Sequence, residues 1–210
     1  MEHYPTSFFL LVMPRLKPLS IDVLEPEHQD LIEKLNELLG FECNDWLTMA
    51  RVPPIMTAAL DLCNTVLENA VDVGEHLRWL VCYACSRSYG CQYCVAHTAF
   101  TASRFGVPDE KLQAVKEFES SSLFNDAERA ALRVAVSAGK CPSDVSDAEF
   151  EELSKHFNEN QVVQIIALVS MMGFFNRWND TIGTELERPP RDTGERVLTD
   201  SGWTLGKHGV

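Results

Sequence analysis

Apolar positions recur at helical spacing along most of this chain, and no run alternates with the two-residue period of a strand. Within Pro26 to Leu39, the residues Leu31, Ile32, Leu35, Leu38 and Leu39 form the stripe of an amphipathic helix, and Gly40 stands where a C-cap belongs. Pro53 and Pro54 suit the first turn of a second segment, Ile55 to Leu67, and Gly74 parts it from the next. From Glu75 to Tyr89, Leu77, Leu80, Val81, Ala84 and Cys85 define a core face, while Glu75, Trp79, Cys82 and Ser86 line a neighbouring one. Gly90 ends that helix. The Ala-rich segment Cys91 to Phe105 then starts another, bounded by Gly106 and Pro108. Asp109 to Phe118, Asp126 to Ser137 and Asp147 to Phe157 are amphipathic, with Asp126 and Asp147 at cap positions. A last long helix begins near Asn160 and runs past Trp178, and beyond Glu187 the composition predicts an extended or irregular tail. The pattern predicts an all-α fold: one helical domain over 21–187, an N-terminal docking arm over 1–20 and a tail over 188–210. In that tail, Gly202 to His208 is a candidate docking segment for its own subunit or another.

Two apolar runs need a membrane reading. Phe8 to Met13 has no basic flank, follows Glu2 and meets Pro14 after six residues, which does not suit a signal peptide. Val162 to Phe175 contains Gln164, Ser170 and Gly173 and is shorter than the roughly 20 residues of a bilayer span, so it reads as a buried core helix. The 210 residues carry 31 acidic against 18 basic side chains, a formal charge of -13. Such a surface repels phosphate backbones and anionic lipid, so neither nucleic acid nor membrane is an expected partner. An odd count of seven cysteines, without a disulfide-scaffold composition, points to a reducing, cytoplasmic setting.

Chemistry concentrates in Tyr89-Gly90-Cys91-Gln92-Tyr93-Cys94-Val95-Ala96-His97. Two cysteines three apart on the first turn of a helix can bridge, and the positive end of the helix dipole favours the thiolate. One sulfur can attack a peroxide or disulfide, and the other can resolve the product before overoxidation. His97, one turn beyond Cys94 and about 60° around the helix, can take the thiol proton. Cys82 and Cys85 form a second C-x-x-C only five residues upstream, whereas paired zinc knuckles stand about 15 to 20 residues apart on turns, so no metal site is expected. Cys82 and Cys85 read as packing residues, Cys43, Cys63 and Cys141 as inert, and Tyr89 and Tyr93 as packing aromatics.

The stretch from Gly90 to Ala99, with Leu77-Arg78-Trp79-Leu80-Val81 before it, resembles the active-site helix pair of the carboxymuconolactone decarboxylase and alkylhydroperoxidase D (AhpD) superfamily. The similarity runs roughly from Pro53 to Gly183, and Phe174-Phe175-Asn176-Arg177-Trp178-Asn179 is similar to the closing helix of its peroxidase-related branch. The resemblance implies an all-α AhpD-like fold, a homo-oligomer (trimer or hexamer), and thiol-dependent peroxide reduction with no cofactor and no metal. It assigns Cys94 as the peroxidatic thiol, Cys91 as the exposed resolving thiol that meets an external dithiol reductant, and His97 as part of a proton relay. Two positions depart from the family. The His usual four residues after the second Cys is Thr98 here, with His97 one earlier, a rotation of about 100°. The Glu usual twelve residues before the first Cys is Trp79, and Glu75, one turn earlier on the same stripe, is its expected substitute.

The leading expectation is therefore an antioxidant thiol peroxidase acting on a small-molecule peroxide through Cys91, Cys94, His97 and Glu75. A decarboxylase acting on a lactone acid needs an acid or base and an anion clamp but no dithiol. A redox-responsive interaction protein would use the same cysteines to alter an oligomer surface.

Overall fold

Ten α-helices and no strand make up residues 14–69 and 72–209, which the computed structural model describes. They are α1 Pro26–Leu39, α2 Asn44–Met49, α3 Pro53–Asn64, α4 Glu75–Tyr89, α5 Gln92–Arg104, α6 Asp109–Gln113, α7 Asp126–Ala138, α8 Asp147–His156, α9 Glu159–Ile182 and α10 Arg188–Thr193. Phe8 to Met13, the apolar part of the expected docking arm, lies outside the described residues. Among them, no helix is long and apolar enough to cross a membrane.

Helix boundaries follow their local chemistry. Gly40 closes α1 and Gly90 closes α4, both at positive φ (86° and 94°), where a side chain would be strained. Asn125, Ser146 and Asn158 cap α7, α8 and α9, each accepting the backbone N–H of the residue three on, whose Glu or Gln side chain reaches back. Asp126 and Asp147 thus stand inside the first turn, where the dipole favours them, and not at the caps the pattern suggested.

The middle of the molecule is α4. It packs against α5 on one side and against α7 and α9 on the others, so Leu80, Val81, Ala84 and Cys85 are buried, and so are Cys82 and Ser86 of the second stripe. Burial on several faces explains why a polar stripe could be read beside the apolar one. Opposite, α9 supplies Ile165, Leu168, Val169, Met171, Met172 and Phe175 to the core. Large apolar side chains fully removed from water each contribute about 1.5–3 kcal/mol, so this contact is a main source of stability.

The tail is ordered where composition predicted irregular chain. Pro189 and Pro190 occupy the first turn of α10, where their missing N–H groups cost nothing. The following turn, Gly194–Leu198, brings the chain back so that the Trp203 indole donates to the Gln92 carbonyl at 3.0 Å. A Cβ on Gly194 would stand 2.8 Å from the Trp203 ring, so only glycine admits this approach. The Leu186 N–H donates to the His208 carbonyl at 2.9 Å, which closes the segment on its own chain.

Candidate active site

The loop between α4 and α5 positions the dithiol. The left-handed turn at Gly90 points the chain into α5 with Cys91 as its N-cap, and the Cys94 N–H donates to Cys91 Sγ at 3.3 Å. The two sulfurs stand 3.0 Å apart as free thiols. Cys94, 3% exposed, looks into a cavity of about 240 Å³; Cys91, 0% exposed, lies away from that cavity. The expectation of an exposed resolving thiol is corrected here: the docked tail covers Cys91 and removes it from solvent.

The cavity wall is mostly apolar, with Leu35, Leu39, Trp46, Trp79, Phe105 and Phe175 among its residues. Trp79 stacks on Phe105, so the position that usually carries an acid is an aromatic wall. Polar atoms converge on one side. Asn179 Nδ2 reaches Cys94 Sγ at 3.8 Å and Asp45 Oδ2 at 3.3 Å, and the Cys43 thiol donates to Asp45 Oδ1 at 3.0 Å. Cys43 Sγ lies 3.7 Å from the Tyr93 hydroxyl, which donates to Glu187 Oε1 at 2.8 Å. The second oxygen of Glu187 stands 2.6 Å from His97 Nε2. A continuous buried chain of polar groups therefore links Cys94 to His97 through Asn179, Asp45, Cys43, Tyr93 and Glu187.

Electrostatics along this chain is dominated by burial. Loss of solvent pushes the Cys94 thiol well up, and the Cys91 hydrogen bond and the Asp45 charge add to it, so Cys94 rests as a thiol. The low-pKa thiolate expected from the helix start is overridden at this sulfur. Burial likewise raises Asp45 against the opposing effects of His97 and Cys43. Burial alone would lower His97, but the charge and hydrogen bond of Glu187, helped by Asp45, carry it above its ordinary value. His97 and Glu187 form a part-buried pair at 2.6 Å.

Of the residues expected at the site, Cys91, Cys94 and His97 come together and Glu75 does not. Glu75 begins α4, where it pairs with Arg78, and stands fourteen residues, or about 21 Å along the axis, before the helix end at Tyr89. Both Glu75 and Trp79 lie toward the far end of the α4–α5 hairpin, and moving the acid one turn earlier carries it away from the sulfurs. Glu187 and Asp45 are carboxylates that stand in the polar chain between Cys94 and His97, and sequence reasoning missed both. Thr98 turns its hydroxyl back to the Cys94 carbonyl at 2.6 Å, leaving His97 to stack on Tyr93 and meet Glu187. Tyr93 and Cys43, read as packing and inert, are members of the polar chain. One local signal was available: the Pro pair at 189 and 190 marks a helix start that makes Glu187 its N-cap.

Two sets of donor atoms lie within 4.8 Å of one another, Cys43 with His97 and Glu187, and Cys91 with Asp180 and His208. Each offers three ligands, one short of a closed structural zinc site.

Comparison with known proteins gives this arrangement a context. A profile of the Carboxymuconolactone decarboxylase family matches residues 53–137. The uncharacterized protein YnjA of Escherichia coli K12 is 32% identical over 92 residues, 44% of this chain and half the length of YnjA. Among solved structures, the debrominase Bmp8 superimposes with a TM-score of 0.79 at 30% identity, covering 86% of this chain and 96% of Bmp8. It has also been crystallised as a Cys-to-Ala variant in complex with 2,3,4-tribromopyrrole. A peroxidase-related protein from Ralstonia eutropha JMP134 with an alkylhydroperoxidase AhpD core shares the fold at a TM-score of 0.72 and 22% identity, over 84% of this chain and 94% of its own.

Proposed function

Because this chain belongs to the carboxymuconolactone decarboxylase and AhpD superfamily, we propose that it is a dithiol-dependent reductase, with a small organic hydroperoxide as its substrate. The observation that carries this reading is Cys94 at the wall of a mostly apolar cavity with a second thiol 3.0 Å behind it. Some 240 Å³ lined by aromatic and leucine side chains favours an alkyl or aryl hydroperoxide over hydrogen peroxide, which would leave most of it unfilled.

The chemistry balances on residues of this chain. Cys94 gives its proton to the Asp45 carboxylate, while Asn179 Nδ2 donates to both the sulfur and Asp45 Oδ2 and holds them together, and the sulfur attacks the terminal peroxide oxygen. The O–O bond breaks, and the departing alkoxide leaves as alcohol with a proton returned from the same chain. Cys91 then attacks the Cys94 sulfenic acid, the S–O bond breaks, water leaves, and an external dithiol reduces the resulting disulfide. His97 and Glu187 anchor the far end of the relay, where the sequence alone had paired His97 with Glu75.

The test is consumption of cumene hydroperoxide with dithiothreitol as reductant, with mass spectrometry of the cysteine peptide. Cys94→Ser should lose at least about 10²-fold in rate. Cys91→Ser should trap an oxidised Cys94. Unchanged turnover in Cys94→Ser would refute the proposal, and turnover of a lactone acid surviving replacement of both cysteines would favour decarboxylation.

A second reading has its own support: the debrominase shares more identity than the peroxidase-related protein, 30% against 22%. The same dithiol would then reduce a halogenated aromatic, with a carbon–halogen bond replaced by carbon–hydrogen, halide released and the disulfide formed. Bromide release from a bromopyrrole, measured beside the peroxide assay, separates the two.

A further inference from the structure

The segment that covers Cys91 carries a histidine with an unused nitrogen. His208 is 1% exposed, and its Nδ1 lies 2.7 Å from the Thr184 carbonyl, which can only accept. The proton therefore sits on Nδ1, and Nε2 presents a lone pair. That Nε2 is buried and has no hydrogen-bond partner among the described residues, a costly state for a polar atom. Around it stand Cys91 Sγ and a carboxylate oxygen of Asp180, the three atoms lying within 4.8 Å of one another. Asp180 is engaged by Lys207 at 2.8 Å, which leaves the Cys91 thiol as the proton nearest the free lone pair. One bridging water or a small side-chain movement closes the gap.

We propose that His208 is the general base for Cys91, taking its proton as this thiol closes the disulfide with Cys94. The proposal rests on the reading of Cys91 as the resolving thiol. In the step, Cys91 gives its proton to His208 Nε2, the thiolate attacks Cys94 Sγ, and the sulfenic S–O bond breaks. The leaving hydroxide takes the proton back and departs as water. The two sulfurs thus have separate histidines. His97 Nε2 is held by Glu187 and lines the cavity with Cys94, whereas His208 comes from the tail on the side away from it.

The surroundings suit a base. Burial lowers His208, against opposing effects of the Thr184 carbonyl, Asp180 and Glu187, with Lys207 adding to the lowering, so the ring is neutral at neutral pH. The groups facing it are Cys91 and the Tyr93 ring on the α5 side, Asp180 from α9, Glu187 at the start of α10, and Lys207 from its own turn. A neutral imidazole beside a buried thiol is what extraction of that proton requires.

The test separates this step from peroxide chemistry by using two oxidants. Reduced protein is mixed with diamide or with cumene hydroperoxide and quenched with N-ethylmaleimide, and the tryptic peptide 88–104, which holds both cysteines, is weighed over time. Diamide adds to Cys94, and Cys91 must then displace the adduct as hydrazine. His208→Asn keeps a donor for Thr184 but removes the base. It should form the first adduct at the wild-type rate and close the disulfide about 10²-fold more slowly, with the lost rate returning as pH is raised. Closure within about twofold of wild type with diamide overturns the proposal, whatever the peroxide does. Normal, His208-dependent closure with diamide but no reaction with peroxide would sink only the peroxidase reading. Should His208→Asn fail to fold, His208→Gln is the second variant. An independent readout on the wild type is the imidazole nitrogen spectrum, and a proton found on Nε2 at neutral pH also overturns the proposal.

Discussion

Cys94 illustrates how the environment of one atom can reverse a rule about its position. A thiol on the first helical turn gains from the dipole, yet full burial and the nearby Asp45 carboxylate push it well above its ordinary value. Its alkylation by iodoacetamide should therefore rise about tenfold per pH unit from pH 7 to 8.5, where a low-pKa thiolate would give a flat profile. His97 shows the opposite balance, since Glu187 outweighs burial. A histidine raised in the folded state contributes stability that is fully present below its unfolded value, near 6.5, and is lost as pH rises through the folded one. Glu187→Gln should thus cost about 1–3 kcal/mol in denaturant unfolding near pH 6, with a smaller deficit above the raised His97 value. The part that remains there reflects the Tyr93 and Asn44 hydrogen bonds to the same carboxylate. Glu75→Gln, remote from the sulfurs, should leave peroxide turnover within about twofold of wild type, because among the described residues its charged partner is Arg78 at 3.5 Å.

At the scale of elements, the α4–α5 hairpin was legible because its signals are local: two apolar faces, a glycine that ends one helix and a cysteine that caps the next. The same locality misplaced Glu75, since a residue on the right stripe can still stand several turns too far along the axis. The tail was misread for a different reason. Its Pro, Gly and Arg content resembles loop composition, and its order comes from Trp203 on Gly194 and His208 on Thr184, contacts that no short window displays. Gly194→Ala would set a Cβ 2.8 Å from the Trp203 ring and must displace it. Loosening that lock should speed N-ethylmaleimide labelling of Cys91 by at least tenfold while the α4–α9 core keeps its helical circular dichroism signal. Unchanged labelling would mean that the tail does not shield this sulfur.

On the scale of the whole molecule, α9 leaves Val163, Ile166 and Phe174 exposed on one side while its other side fills the core. A stripe of this kind on a chain with a formal charge of -13 fits assembly of identical subunits through their apolar faces, as the family resemblance implies. Light scattering after size exclusion should give a mass above 23.6 kDa, and Ile166→Lys should lower it. The sequence by itself determined the all-α fold, the order and rough bounds of the helices other than α2 and α10, and a dithiol at a helix start with His97 one turn on. These depend on spacings of a few residues, where backbone geometry fixes which side chains share a face. Only the tertiary structure decided that Cys91 is buried, that Cys94 is held as a thiol, and that Glu187, Asp45, Cys43 and Tyr93 join His97 in one polar chain. Asn44 and Glu187 meet across 143 positions and Tyr93 and Glu187 across 94, and at that range packing of helices against one another, not periodicity, chooses the neighbours.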